Sequence, residues 1–276
     1  MNFLALVRLD KWIAQTLIVS RKDASGMIRA GRVSVNGQKS VPDAKVDPEK
    51  DTVSVDAEPV SYAKYLYFML NKPAGLVCAN EDKRDGTVLS LFPKEYRDKG
   101  ISTVGRLDKD TVGLLLVTND GALAHKLLSP KSHAEKTYFV RTDKPFVPED
   151  IGTMRRGIVI DGKNTAPARL ELCENDAFGA YVTLTEGKFH EVKRLCYACG
   201  EKEVLYLRRD RFAGLSLDET LESGEWRALT ETEISLLKAA PAEKDLEFII
   251  NSRSFVLPHN TIPFIGQNHI LHSIQV

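Results

Sequence analysis

The sequence predicts an α+β fold, in which a small N-terminal module of two helices and a hairpin precedes a larger domain with a largely antiparallel, mixed sheet. In the first helical segment, Leu9, Ile13 and Leu17 recur at the spacing of one helical face. The pair Asn36-Gly37 is a strong signal for a tight hairpin turn. Beyond residue 60, short β-like runs mix with a few helical segments, without the regular strand–helix alternation of a parallel sheet.

The N-terminal module carries start and stop signals for its second helix. Ser20 followed by Asp23 predicts the start, because a serine side chain caps the free amides of a first helical turn. We expect this helix to run to about Ala30 and to end at Gly31, since glycine readily adopts the left-handed conformation that ends helices. The alternating residues 32–35 then form the first strand of the hairpin.

Charge is distributed unevenly along the chain. The 38 basic and 38 acidic residues cancel, which taken over the whole chain argues against a nucleic-acid partner. Locally, residues 1–40 hold seven basic and two acidic side chains, whereas residues 41–60 hold two basic and six acidic ones. This asymmetry indicates a module that binds a polyanion, although a solvated surface helix is the alternative. The basic residues are Arg8, Lys11, Arg21, Lys22, Arg29, Arg32 and Lys39.

The larger domain is expected to begin after a linker over residues 59–64. An apolar strand over 65–70 then ends in a turn over 71–75, where asparagine, proline and glycine cluster. Apolar patterns predict strands at Gly113–Thr118, Lys136–Arg141, Ala166–Leu172 and Ala180–Thr185, and helices at Gly121–Leu128 and His190–Cys199.

We therefore divide the chain into a module over 1–60, a larger domain over 61–240 and an atypical tail over 241–276. After Glu247 the tail has no acidic residue and a single basic one, Arg253. Its histidines lack metal-ligand spacing, so we expect them to be incidental. They are His259, His269 and His272.

Composition excludes several classes of protein. No run reaches the roughly 18 apolar residues of a membrane span, and the stretch Phe3–Val7 is too short for a signal peptide, so we expect a cytoplasmic protein without membrane contact. Four cysteines do not make a disulfide framework in 276 residues. Cys196 and Cys199 lack a second pair to complete a zinc site, and we expect them to be buried on a helix. No metal site is predicted.

The most informative segment is GRLDKDTVGLLLVTNDG, which starts at Gly105. It presents Arg106, Asp108 and Asp110 on a loop that leads into an apolar strand. A polar loop that is braced by a buried strand in this way suits a rigidly positioned site. A calcium loop is excluded, because apolar residues occupy its ligand positions and Asn119 replaces the closing glutamate. Taken alone, the loop also fits a surface ion pair followed by a helix cap.

Several blocks together resemble the RsuA-type pseudouridine synthases. The G-R-L-D loop with T-x-G-L-L-L-x-T-N-D-G resembles the family signature, and three further blocks match: YFMLNKPAGLVC, EKTY and EGKFHEVKR. Residues 8–38 resemble the S4 RNA-binding domain, so the resemblance covers about 1–238. The H-x-V-K-R wording is closest to the enzymes that act on small-subunit (16S) rRNA. The sequence departs from the family at Glu191, where glutamine is usual, and in the tail.

This resemblance implies a catalytic set. It assigns the nucleophile to Asp108, which would either attack the sugar or initiate glycal formation. A cation has to keep that carboxylate ionised, and Lys193 is the matching candidate, with Arg194 as the alternative. Tyr138 would supply a flat face for the uracil and a hydroxyl for proton transfer near C5.

The same resemblance implies an RNA-binding set. Because the base must leave its stack, Arg106 would hold a phosphate of the flipped nucleotide, while Lys188 and His190 would line the RNA cleft. Leu107 and Leu195 would either wall the uracil or pack in the core. The basic residues of the N-terminal module would bind the RNA backbone.

The resemblance further implies a monomer that needs no cofactor and acts on ribosomal RNA or an assembling ribosomal subunit. The sequence contains no P-loop or dinucleotide fingerprint. Two alternatives remain open at this point: a synthase that modifies large-subunit rRNA, and a non-catalytic S4-type RNA-binding protein in ribosome assembly.

Overall fold

The computed structural model of the chain describes residues 6–60, 62, 64–129, 132 and 134–239. The predictions for the tail, including its histidines, and for Phe3 lie outside the described residues. None of the helices in these ranges combines the length and the hydrophobicity that a membrane span requires.

The N-terminal module contains the predicted helices and hairpin within a small antiparallel sheet. Its elements are β1 (Val7–Arg8), α1 (Leu9–Thr16), α2 (Arg21–Arg29), β2 (Val33–Val35), β3 (Gln38–Lys39), β4 (Lys45–Val46), β5 (Val53–Val55) and β6 (Glu58–Val60). The described strands pair in the order β3-β2-β5-β6, and β1 pairs separately with β4. The predicted linker is wrong at its start, because Pro59 and Val60 pair with β5.

Local signals explain these boundaries. The Ser20 hydroxyl accepts a hydrogen bond from the Asp23 amide at 3.1 Å, as the capping signal predicts. Gly31 ends α2 with a φ of 72°, and Asn36 and Gly37 both have positive φ, as this hairpin turn requires. The apolar faces of α1 and α2 meet the sheet in a core built around the buried Trp12.

The larger domain is a mixed sheet with helices on both faces. Its elements are β7 (Tyr67–Lys72), a 3₁₀ turn (Val88–Leu91), α3 (Lys94–Arg97), β8 (Ser102–Thr103), β9 (Val112–Thr118), α4 (Gly121–Leu128), β10 (Lys136–Thr142), α5 (Pro148–Arg156), β11 (Val159–Ile160), β12 (Lys163–Asn164), β13 (Arg169–Cys173), β14 (Asp176–Leu184), α6 (Glu191–Ala198), β15 (Val204–Phe212), β16 (Leu215–Ser216), β17 (Trp226–Ala228) and α7 (Glu231–Ala239).

The sheet order is β13-β14-β10-β15-β9-β7-β17, with β8 on β9 and β16 on β15. Among the described strands of this sheet, only β9 and β15 run parallel, so the predicted largely antiparallel mixed sheet is confirmed. The predicted strand at Ala166 begins later, at Arg169. The reason is that the Ala168 amide bonds to the carbonyl of Met154 in α5 instead.

Both faces of the central strands are buried, which explains their continuous apolar runs. Residues Phe68, Leu70, Leu115 and Val117 face one core, which α5 and α6 cover. Residues Tyr67, Met69, Leu114 and Leu116 face the other, which α4 and α7 cover. Cys196 and Cys199 are buried free thiols at the end of α6, as expected.

The parallel junction between β9 and β15 requires glycine at position 113. Gly113 has a φ of 97°, and a Cβ at this position would clash with the carbonyl oxygen of Arg209. The buried Arg209 locks the junction, since its Nε donates to the Leu114 carbonyl at 2.8 Å. The strand that leads out of the Asp108 loop is therefore held against β15 by backbone contact.

We predict that Gly113→Ala destabilises the fold by roughly 2–4 kcal/mol, because the new methyl group meets backbone that cannot move aside. Urea unfolding measures this change. Gly121→Ala is the matched control, since Gly121 lies in α4 with open space around its Cα, and helical alanine there should be neutral or stabilising. Equal stability of the two variants would contradict the account of the junction.

Candidate active site

The loop before β9 presents Asp108 at the protein surface, next to residues that are buried in the core. The Asp108 side chain is 29% exposed, while its neighbour Leu107 is buried in the core and Arg106 is exposed. The Thr111 amide donates to the Asp108 carbonyl at 3.1 Å and closes a turn. The predicted bracing is therefore present, and of the two roles considered for Leu107, the structure shows core packing.

A buried lysine beneath the loop holds it in place. Lys72, the last residue of β7, is fully buried, and its ammonium donates to the carbonyls of Pro73 at 2.9 Å, Lys109 at 3.3 Å and Thr111 at 2.9 Å. Burial lowers the pKa of Lys72, and the negative charge of nearby acidic groups, Asp108 among them, opposes that shift. The ammonium thus fixes the loop backbone on either side of Asp110.

The segment after β7 adds two hydrogen bonds to the same loop. The Gly75 amide donates to the Lys109 carbonyl at 2.8 Å, and the Leu107 amide donates to Cys78 Sγ at 3.3 Å. The block YFMLNKPAGLVC contributes to the family resemblance, but the sequence did not predict a role for Lys72. A lysine inside an apolar strand next to a proline turn was the available signal.

Lys193 reaches the loop from α6. Its Nζ lies 3.6 Å from Asp108 Oδ2 and hydrogen-bonds both carboxylate oxygens of Asp110, at 2.8 and 2.7 Å. Partial desolvation raises the pKa of Asp110. The hydrogen bond and charge of Lys193 together lower this pKa by more than desolvation raises it, so the net shift is downward. A single ammonium therefore faces both aspartates of the loop.

Arg194 points elsewhere. Its guanidinium lies 3.4 Å from Asp161, on the turn between β11 and β12, and 5.8 Å from the Phe189 ring. Of the two cations that the sequence left as alternatives, Lys193 is the one beside Asp108. Leu195, on the same helix, is fully buried in the core.

His190 also approaches Asp108. Its Nε2 lies 3.6 Å from Asp108 Oδ1, and its ring stacks on Phe189 at 3.7 Å. The residue precedes α6 with a φ of 53°, a left-handed conformation that costs free energy in a residue other than glycine. The sequence had placed His190 only along the RNA cleft, because nothing local reveals a contact across 82 residues.

Tyr138 lies on the neighbouring part of the sheet. In β10 it pairs with Arg209 of β15, which in turn pairs with Gly113 of β9. This row places the Tyr138 backbone two strand spacings, about 10 Å, from the backbone of Gly113. Gly113 in turn follows Asp108 by five residues along the chain. Tyr138 is buried in the same core cluster as Leu107.

Lys188 lies in a cluster with two carboxyl groups, those of Glu186 and Glu191, at the start of α6. Its Nζ lies 2.6 Å from Glu186 Oε1 and 3.1 Å from the Asn164 carbonyl, so this predicted RNA ligand is already engaged. Glu191, 3% exposed, accepts the Lys188 amide with one oxygen at 2.7 Å. Its other oxygen has no hydrogen-bond partner within the described part of the chain.

Two groups of this cluster have pKa values shifted toward neutral pH. Burial, and then the proximity and charge of the Glu186 carboxyl, raise the pKa of Glu191 to about 7. Nearby Lys136 has its pKa lowered to about 8 by burial and by the charge of Arg209. The position where the family usually has glutamine thus holds a carboxyl that is largely neutral in slightly acidic solution.

Six basic residues of the N-terminal module fall into two groups. Arg8 and Arg21 both pair with the buried Asp10, at 3.0 and 2.9 Å, and Arg32 pairs with Asp56. A second group is exposed and makes no ion pair with any described residue: Lys11, Lys22 and Arg29. Across the described residues, no group of three or more histidine, cysteine or acidic side chains is placed to hold a metal ion.

Two family models match the chain. Residues 66–198 match the model described as RNA pseudouridylate synthase, and residues 7–53 match the S4 domain. The chain is 45% identical over 242 residues to an uncharacterized RNA pseudouridine synthase of Bacillus subtilis, covering 86% of this chain and all of that protein. It is 40% identical over 233 residues to the ribosomal small subunit pseudouridine synthase A of Escherichia coli, covering 83% and 99%.

A solved structure agrees with these sequence matches. A crystal structure of a pseudouridylate synthase superposes with a TM-score of 0.59 at 37% identity, covering 84% of this chain and 99% of that chain. Both parts of the resemblance predicted from the sequence are confirmed by these similarities.

We predict that Glu191→Gln changes how stability depends on pH. A carboxyl whose pKa rises from 4.5 to about 7 on folding contributes stability that is fully present below pH 4.5 and is lost as pH rises through 7. The variant lacks this loss, so its melting temperature should rise relative to that of the wild type between pH 5 and 7 and level off by pH 8. Parallel melting curves for the two proteins would contradict the assignment; the exposed Glu149→Gln should give such parallel behaviour.

Proposed function

The chain belongs to the RsuA-type family of RNA pseudouridine synthases, and from that membership we propose that it converts a uridine of small-subunit (16S) rRNA to pseudouridine with Asp108 as nucleophile. As a pseudouridine synthase the protein is an isomerase, so the non-catalytic alternative is set aside. The 16S target is supported by the similarity to relatives named for the small subunit. The nucleophile is supported by the geometry around Asp108.

The reaction itself explains why such a carboxylate is needed. Isomerisation breaks the bond between N1 of uracil and C1′ of ribose, turns the base and joins C5 to C1′, with the proton on C5 moving to N1. Nothing is added or removed overall, so the step requires no external donor. A carboxylate can form and release a bond to the sugar, as in other covalent catalysis, or can initiate glycal formation.

The observation that carries the proposal is the double contact on Asp108. Lys193 Nζ and His190 Nε2 each lie 3.6 Å from one of its oxygens. The ammonium and the imidazole lie on different oxygens of the carboxylate, so they orient it from two sides. The loop brings no competing hydrogen-bond donor of its own to these oxygens, which leaves the carboxylate available to substrate.

Tyr138 and Arg106 take the remaining roles. Tyr138 lies in the core beside the loop and supplies a flat face for uracil and a hydroxyl for proton transfer at C5. Arg106 is exposed next to Asp108, where it can hold a phosphate of the nucleotide whose base enters the site. Base flipping follows, because C1′ of a stacked nucleotide does not reach a half-buried carboxylate.

The N-terminal module docks the RNA. Its exposed cations, Lys11, Lys22 and Arg29, supply affinity to phosphates without reading sequence. Arg8, Arg21 and Arg32 contribute less, since acidic partners already compensate part of their charge. We propose that the protein acts as a monomer in the cytoplasm, on 16S rRNA or an assembling small subunit.

We predict that Asp108→Asn abolishes pseudouridine formation while RNA binding persists, because the amide keeps the shape and loses the nucleophile. Pseudouridine mapping across both rRNAs, in cells lacking the gene and complemented with each variant, tests target and nucleophile together. Asp110→Asn on the same loop is the control and should cost less than about tenfold in rate. Residual activity above about one part in a thousand in Asp108→Asn would overturn the assignment of the nucleophile. If cells lacking the gene lose a pseudouridine from large-subunit rRNA instead of 16S rRNA, the proposed target is wrong.

We predict that Lys193→Ala lowers kcat by on the order of a hundredfold, equivalent to about 3 kcal/mol of preorganised charge beside Asp108. Lys193→Arg should retain much more activity, because it keeps the positive charge. Arg194→Ala should mainly raise KM, since its guanidinium faces Asp161 rather than Asp108. Single-turnover and steady-state kinetics on rRNA separate these effects, and the reverse ranking of the two alanine variants would refute the charge-pair account.

A further inference from the structure

An open groove of about 520 Å³ lies beside the catalytic loop, between the β11–β12 hairpin and α6. Its walls include Val159 and Asp161 from the hairpin, and His190, Lys193 and Arg194 from the start of α6. Two of these residues, His190 and Lys193, also contact Asp108. The groove is therefore continuous with the proposed active site, although Asp108 itself does not line it.

Large apolar side chains are exposed around this groove. Val159 is 67% exposed and Tyr197 is 55% exposed, and both line it. Phe189 is 64% exposed and lies at the rim, since it contacts His190 and Arg194 of the wall. Apolar side chains concentrated on one surface next to a catalytic site indicate a surface that binds something.

The wall also carries positive charge that is available to an anion. Arg194 faces Asp161 at 3.4 Å, but this ion pair is exposed, and such pairs contribute little. A phosphate can therefore replace Asp161 as the partner of Arg194. Aromatic faces combined with cations match the chemistry of unpaired RNA, whose bases stack on aromatic rings and whose backbone is anionic.

We propose that this groove binds the unpaired nucleotide next to the target uridine, with its base stacked on Phe189 and its phosphate held by Arg194. The inference rests on the proposed function, because it requires the target uridine at Asp108. Flipping a uridine opens the RNA locally, and the base beside it loses a stacking partner. The Phe189–His190 stack replaces that partner, and Tyr197 lines the groove further along α6.

The choice of RNA over an apolar peptide follows from the shared wall. A substrate that reaches Asp108 has to pass His190 and Lys193, and the next unit of the same chain then meets the groove. A protein ligand has no comparable reason to lie there. Phe189 acts here as a positioning residue for the RNA, and its loss should appear mainly in binding and in KM.

The experiment uses the full chain and a short 16S fragment that contains the uridine identified by mapping. The base on either side of that uridine is replaced in turn by fluorescent 2-aminopurine, whose emission falls when it stacks. We expect quenching at one of the two positions. Phe189→Ala should abolish it and weaken RNA affinity roughly 5- to 100-fold, the range of one lost base–aromatic stack. Phe189→Tyr should preserve both.

The matched control is Phe178→Ala, which removes another exposed phenylalanine, on β14, that does not line the groove. It should leave quenching and affinity unchanged. The inference is overturned if Phe189→Ala quenches and binds like the wild type, or if it loses affinity while neither flanking base is ever quenched. If the wild type forms no pseudouridine in 16S rRNA, the proposed function fails instead, a result that conversion assays show independently of quenching.

Discussion

The site depends on one buried charge. The Lys72 ammonium has left water and is compensated by backbone carbonyls of the turn after β7 and of the Asp108 loop. An isolated buried ammonium would be costly, so the fold is stable only when these carbonyls converge on it. The same convergence fixes the backbone around Asp108. Folding of the domain and placement of Asp108 are thus coupled through a single side chain.

The sheet transmits this placement to the rest of the site. Because Gly113 allows β9 to lie directly against β15, the row Tyr138–Arg209–Gly113 is set in register across the middle of the sheet. Helix α6 packs on one face of that sheet and carries Lys193 to the loop. The carboxylate, its cation and the aromatic ring come from segments far apart in sequence, and each is held by buried structure.

Much of this arrangement could be predicted from local pattern. The Asp108 loop, the helix that carries Lys193 and the hairpin of the N-terminal module all have signals within a few residues. Strand β15 was missed because charged residues interrupt its apolar pattern, and the burial of Arg209 among them depends on a carbonyl of β9. The roles of Lys72 and His190 were missed because each acts through a contact with a residue tens of positions away in the sequence.

We propose that the Lys72 ammonium positions Asp108 for catalysis, and the substitution Lys72→Met removes that ammonium. Methionine keeps the length and removes the charge, and circular dichroism establishes which preparations are folded. We expect kcat on 16S rRNA to fall on the order of a hundredfold, the cost of misplacing a reacting group by about an ångström, with RNA affinity unchanged. The exposed Lys94→Met should have no such effect. A folded Lys72→Met enzyme with the kcat of the wild type would contradict the account.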